Sequence, residues 1–97
     1  MNYQKFILLG IVEESAQRYT AEDGIPYAAF AVALKDTKGH TTIFPVTAFG
    51  KLGEMVPNHV TKGRQVLVEG RIEVNEEGGF EIIAGWVEYG RPPGSVK

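Results

Sequence analysis

Residues 65–75 read QVLVEGRIEVN. Apolar and polar positions alternate through the stretch: Val66, Val68, Ile72 and Val74 share one side, and Leu67, Glu69, Arg71 and Glu73 share the other. A period of two is the pattern of a strand with one face on a core. Gly70 stands in its middle, where a glycine marks a bend or bulge. Upstream, residues 3–12 (YQKFILLGIV) form a second long strand with Gly10 inside it. Two long strands, each bent at a glycine, suit a small coiled antiparallel barrel.

The remaining segments complete the barrel. Glu13 to Gly24 is polar and ends in Glu22-Asp23-Gly24, a turn signal. Pro26 opens a strand over residues 27–34 (YAAFAVAL), with Phe30, Val32 and Leu34 on one face and Tyr27, Ala29, Ala31 and Ala33 on the other. Asp36-Thr37-Lys38-Gly39 is a tight turn joining it to residues 40–49 (HTTIFPVTAF). There Phe44, Val46 and Ala48 oppose Ile43, Pro45, Thr47 and Phe49, and Pro45, which has no N–H, requires an edge, a bulge or a gap in the ladder. Leu52, Met55, Val56, His59 and Val60 fit helical spacing, with Pro57 limiting the regularity and Lys62-Gly63 ending the segment. A Glu76-Glu77-Gly78-Gly79 turn leads into a last strand, residues 80–89 (FEIIAGWVEY). Five strands with a short helix between the third and fourth predict an all-β, five-stranded OB-fold Greek-key barrel over residues 1–90. A short polar tail, 91–97, follows. The binding face of that architecture is strands two and three with their loops. An SH3-like barrel is the alternative, and the helix after the third strand favours the OB arrangement.

Composition bounds the chemistry. Ninety-seven residues make one domain, and 43% hydrophobic with 23% charged residues is ordinary globular usage. The absence of cysteine excludes disulfides and thiolate chemistry, and two histidines, His40 and His59, give no basis for a multi-histidine metal centre. No apolar run approaches the roughly 18 residues that span a bilayer, and Phe6 to Val12 lacks the length and cleavage site of a signal peptide. The expected compartment is the cytoplasm. No nucleophile–base motif, phosphate loop or cofactor motif occurs, so no enzyme, cofactor or metal is expected. A net charge of −2 argues mildly against attraction to polyanions, although a basic groove can sit on an acidic body.

Several segments in order carry a family resemblance: Phe6-Ile7-Leu8-Leu9-Gly10, Arg18-Tyr19, Ala29 to Ala33, Ala48-Phe49-Gly50-Lys51-Leu52-Gly53-Glu54, Lys62-Gly63, and Val66-Leu67-Val68-Glu69-Gly70-Arg71-Ile72. In this order and separation they resemble bacterial and phage-type single-stranded DNA-binding proteins over residues 3 to about 89. The resemblance implies an OB domain that binds single strands without strong sequence preference, assembled as a tetramer or dimer. It implies base stacking at Phe49 and basic positions along the strand at Arg18, Lys51 and Lys62. The departures are specific. Ile43 stands where the family carries a stacking tryptophan, and the hairpin bearing another is shortened to Asp36–Gly39. Pro45 replaces a position that is often basic, and the fourth-strand end reads Glu73-Val74-Asn75-Glu76-Glu77 where the family is basic. The chain ends Gly94-Ser95-Val96-Lys97 rather than in the family's acidic, phenylalanine-ended tail, so a tailless member is expected.

The candidate contacts follow. Phe49 is a stacking platform or a barrel-rim aromatic; Tyr27, beside small alanines, is a base platform or an interface residue. Phe80, next to the Gly78-Gly79 turn, is a loop-tip aromatic or a cap on the barrel end. Trp86 shares its parity with Phe80, Ile82 and Ala84 and is expected to pack in the core or at a subunit interface. Lys5, Arg18, Lys51, Lys62, Arg64 and Arg71 are candidate phosphate contacts against a background of ordinary surface charge. Arg71, between Glu69 and Glu73, is also placed for cross-strand ion pairing. The leading expectation is single-stranded DNA binding as a homo-oligomer, with replication and repair proteins as further partners. The alternatives are a protein-interaction module like the family's primosomal relatives, and an RNA-binding OB domain.

Overall fold

The computed structural model describes residues 5–90. The order of elements is β1 (Phe6–Thr20), β2 (Pro26–Lys35), β3 (Thr41–Phe49), α1 (Gly50–Met55), a 3-10 turn (Val56–Asn58), β4 (Gln65–Val74) and β5 (Phe80–Tyr89). The strands close into one barrel in the order β1-β2-β3-β5-β4. All neighbours are antiparallel except β3 and β5, which run parallel over Val46–Ala48. The expected five-stranded barrel, with its helix between the third and fourth strands, is the observed one. The expected tail at 91–97 and the strand start at Tyr3 lie outside the described residues.

β1 closes the barrel because it is shared. Phe6–Ile11 pairs with β4, and Ile11–Thr20 pairs with β2. Gly10 sits at the crossover, where a Cβ would stand 2.5 Å from the carbonyl oxygen of Ala33. The strand therefore extends eight residues beyond Val12, into the stretch expected to be a polar connection. Register shifts between Val12 and Glu14 and between Glu14 and Gln17 break the period of two there. A bulged strand loses the alternation by which it would be recognised. The loop before β4 pairs with this segment too: the Ala16 N–H donates to the Val60 carbonyl at 2.9 Å, and the Gly63 N–H to the Val12 carbonyl at 2.9 Å.

The core is aliphatic except for Phe30. Leu8, Val12, Phe30, Val32, Val46, Val66, Val68 and Ile82 fill the barrel. Val56 and Val60, both fully buried, plug one end with Leu52 packed against them. The helical spacing is thus realised as a short helix and a 3-10 turn with Pro57 near its start, and His59 falls on the exposed rim. Pro45 pairs with Ala31 and lies one residue before the β3–β5 ladder begins, the gap its missing donor calls for.

A bulge in β5 removes the core from the two places expected for Trp86, core or subunit interface. Glu69 pairs with Trp86 but Gly70 pairs with Ala84, so Gly85 is the extra residue. Parity inverts across it: Val87 turns inward and Trp86 stands 55% exposed, outside the core. A Cβ on Gly70 would collide with the carbonyl of Ile83, whereas one on Gly85 would meet nothing nearer than the Glu69 carbonyl at 3.9 Å. Gly70→Ala is therefore expected to cost about 1–3 kcal/mol or more by overpacking backbone. Gly85→Ala should stay within about 0.5 kcal/mol of the parent in urea denaturation.

Candidate nucleic-acid interface

The β1–β2 turn is tight. The Ala21 N–H donates to the Ile25 carbonyl at 2.9 Å, and the Ile25 N–H to Asp23 Oδ1 at 3.0 Å. Gly24 supplies the positive φ of 88° that the turn needs. This hairpin sets Tyr19 opposite Tyr27, and the β2–β3 register sets Tyr27 opposite Phe49. Three rings line up across three strands. The Tyr19 and Tyr27 centroids are 5.3 Å apart at 24°, and those of Tyr27 and Phe49 are 5.6 Å apart at 41°. Each contact is worth about 0.5–1.5 kcal/mol beyond the area it buries. Tyr27 is flanked on both sides, and the outer rings are the open ones, Tyr19 at 48% and Phe49 at 46% exposure. From this row a shallow floor runs along β2 and β3, made of Ala29, Ala31 and Ala33 against Thr47, Pro45 and Ile43.

Sequence reading singled out Tyr27 and Phe49 and passed over Tyr19 as a platform. The signal that could have found it was the Arg18-Tyr19 pair within an extended β1, obscured by the two bulges. Phe80 does not join the row. It lies level with the start of β3, packed edge-on against Phe44 at 6.0 Å, with Phe6 on the other side of Phe44 at 5.9 Å. Phe44 precedes Phe49 by five residues, about 16 Å along a strand. Phe80 caps that end of the barrel while remaining 41% exposed.

The candidate cations divide into two groups. Lys51, in the first turn of α1 next to Phe49, and Lys62, before β4, are exposed and make no ion pair among the described residues. The Lys62 N–H donates to Ser15 Oγ at 2.8 Å, which fixes that loop to β1. Arg18 crosses from β1 to the helix, donating from Nη2 to the Glu54 carbonyl at 3.2 Å and to Asn58 Oδ1 at 3.3 Å. The other two site candidates are compensated. Lys5 lies 3.4 Å from a Glu69 carboxylate oxygen. Arg71 donates from Nη2 and Nε to Glu73 at 2.8 and 3.1 Å, a pairing along one strand rather than across two. Arg64 is occupied structurally: it donates to the carbonyls of Gly90 and His59 and lies 5.3 Å above the Tyr89 ring. Burial raises the Tyr89 phenol above its ordinary value, and the Arg64 charge opposes the shift.

Glu54 lies beside the aromatic row and Glu22 and Asp23 occupy the adjoining β1–β2 turn, while further acidic groups gather on β4, β5 and the turn between them. Glu73 and Glu81 face each other across β4 and β5, and Thr47 Oγ1 donates to Glu81 at 2.6 Å. Glu76 and Glu77 occupy the turn beyond. Among the described residues, no group of three or more His, Asp or Glu side chains could hold a metal ion.

The geometry has known counterparts. The SSB domain of a Synechococcus sp. protein superposes with a TM-score of 0.81 at 23% identity, covering 90% of this chain and 96% of that one, a likeness of fold. The single-stranded DNA-binding protein of Thermotoga maritima is 35% identical over 81 residues, 74% of this chain and 57% of that protein. The Clostridium perfringens protein of the same description is 32% identical over 88 residues, 88% of this chain and again 57% of the relative. The chain thus spans 57% of the length of each of these two relatives. Residues 3–78, most of the chain, match the model of the single-strand binding protein family, and the chain belongs to that family.

Proposed function

We propose that the chain binds single-stranded DNA without strong sequence preference, as a homo-oligomer acting in replication, repair or recombination in the cytoplasm. One observation carries the reading: three aromatic rings in register across β1, β2 and β3, flanked by Lys51 and Arg18 and opening onto a floor of small side chains. Bases stack on such platforms whatever their identity, at about 1–3 kcal/mol each, while cations follow the backbone. Phe49 and Tyr19 offer the open rings, and Lys51, Lys62 and Arg18 serve the phosphates. Lys5 and Arg71 already neutralise carboxylates and add little.

The oligomer has its own support. Ile7, Leu9 and Ile11 project outward from β1 at 57%, 54% and 45% exposure. Leu67 lies alongside on β4, paired with Leu9, and Trp86 stands one strand further on, in β5, with Glu69 between it and Ile7. A contiguous apolar strip of this kind marks an association surface, and a second copy would join two weak sites into one path.

Three outcomes test the reading. Phe49→Ala should weaken binding of an oligo-dT at least about tenfold in fluorescence anisotropy, one stacked base's worth; an unchanged affinity removes Phe49 from the site. The salt dependence should have a log–log slope near −2, about −0.7 for each of three contacts. Arg71→Ala should leave that slope where it is. In light scattering the parent should sediment or elute as a dimer or tetramer and Leu9→Asp as a monomer, and a monomeric parent would refute the assembly.

A further inference from the structure

Beside the aromatic row lies a cavity of about 440 Å³, lined by Tyr19 and Tyr27 of the row together with Arg18, Gly53 and Glu54. Its volume falls within the roughly 300–1,000 Å³ of small-molecule sites. Gly53 sets its width. A Cβ there would collide with the Ala48 carbonyl and stand 2.9 Å from the Tyr27 Cα, so α1 rides directly on β2. The Glu54 carboxylate is exposed and has no partner among the described residues; only its backbone carbonyl is used, by Arg18. Arg18 spends Nη2 on that carbonyl and on Asn58, leaving its other donors unused.

An aromatic wall, an acceptor-only group and a cation with spare donors are the elements of a nucleotide subsite. We propose that this cavity takes one guanine base of the bound strand, stacked on the open ring of Tyr19, with its Watson–Crick edge on Glu54 and its phosphate near Arg18. The inference rests on the single-strand reading above and names a base for one position of that site. A carboxylate only accepts hydrogen bonds. Guanine alone presents two adjacent donors, N1–H and the N2 amino group. The amino groups of cytosine and adenine are flanked by ring-nitrogen acceptors, and the single imino N–H of thymine sits between two carbonyl oxygens. Each of those would aim a lone pair at the carboxylate. The preference is confined to one position and leaves the rest of the site indifferent to sequence.

The test compares an oligo-dT with the same oligomer carrying one central guanine, by anisotropy titration. The expected result is at least about fivefold tighter binding of the guanine oligomer, the low end of what a bidentate base contact is worth. Inosine in place of guanine, which lacks the N2 amino group, should return most of that gain. Glu54→Gln should bring the ratio of the two affinities to about one while both oligomers still bind. Equal affinities in the parent protein, or a ratio unchanged by Glu54→Gln, would overturn the guanine subsite and leave the single-strand reading standing. Failure of both oligomers to bind would overturn both.

Discussion

Barrel closure depends on β1 serving two partners. Its first half completes the ladder of β4 and its second half that of β2, and the change occurs within a single residue step at Ile11. Backbone groups of a five-stranded sheet with free edges would otherwise need water or a partner chain. Gly10 makes the step possible by bringing β1 against Ala33 without a side chain between them. The rest is downstream of this closure. The extension of β1 past the crossover brings Tyr19 to Tyr27 and Arg18 to the helix, and it gives the loop before β4 a strand to bond to. The aromatic row is thus assembled by the same strand that seals the barrel.

The parts of the fold that keep a strict period were legible. The middles of β4, β2 and β3 bury residues the alternation names, Val66 and Val68, Phe30 and Val32, Val46 and Ala48, while Leu34 and Val74, at strand ends on the same faces, stand exposed and Ala31 and Thr47 on the opposite faces are covered. The parts that were not legible sit at bulges. Two register shifts in β1 made a strand look like a polar loop and hid Tyr19 as a platform. One extra residue at Gly85 turned Trp86 out of the core, one of the two places its parity with Ile82 and Ala84 suggested. A bulge depends on how closely two backbones approach, and a single strand's sequence does not carry that distance.

The site was legible by residue type more than by engagement. Phe49 and Tyr27 were identifiable and are adjacent. Basic residues were identifiable too, but sequence shows charge and not whether the charge is already answered. Arg71 has its own strand's Glu73, Lys5 has Glu69, and Arg64 is held by the Gly90 carbonyl and the Tyr89 ring. Of the candidate cations, Lys51 and Arg18 stand by the aromatic row, where Glu54 also lies, while Glu73, Glu81, Glu76 and Glu77 collect on β4, β5 and the turn between them. An overall negative charge and a site for a polyanion are compatible because a strand responds to the charges within about a Debye length of it, not to the net charge. The acidic cluster on β4 and β5 also shortens the surface that a strand can follow on one copy, which increases the share of the task that falls to assembly.

The outward turn of Trp86 has an optical consequence. It is the only tryptophan of the chain, and its indole stands half-exposed beside Glu69, one strand away from the apolar strip of β1, with Nε1 donating to Glu88 at 2.9 Å. The rings of the aromatic row are two tyrosines and a phenylalanine. The two surfaces therefore carry different chromophores. Indole emission reports on whether the face around Glu69 is wet or covered and is not shared with the row, so burial of that face between copies can be followed without a label.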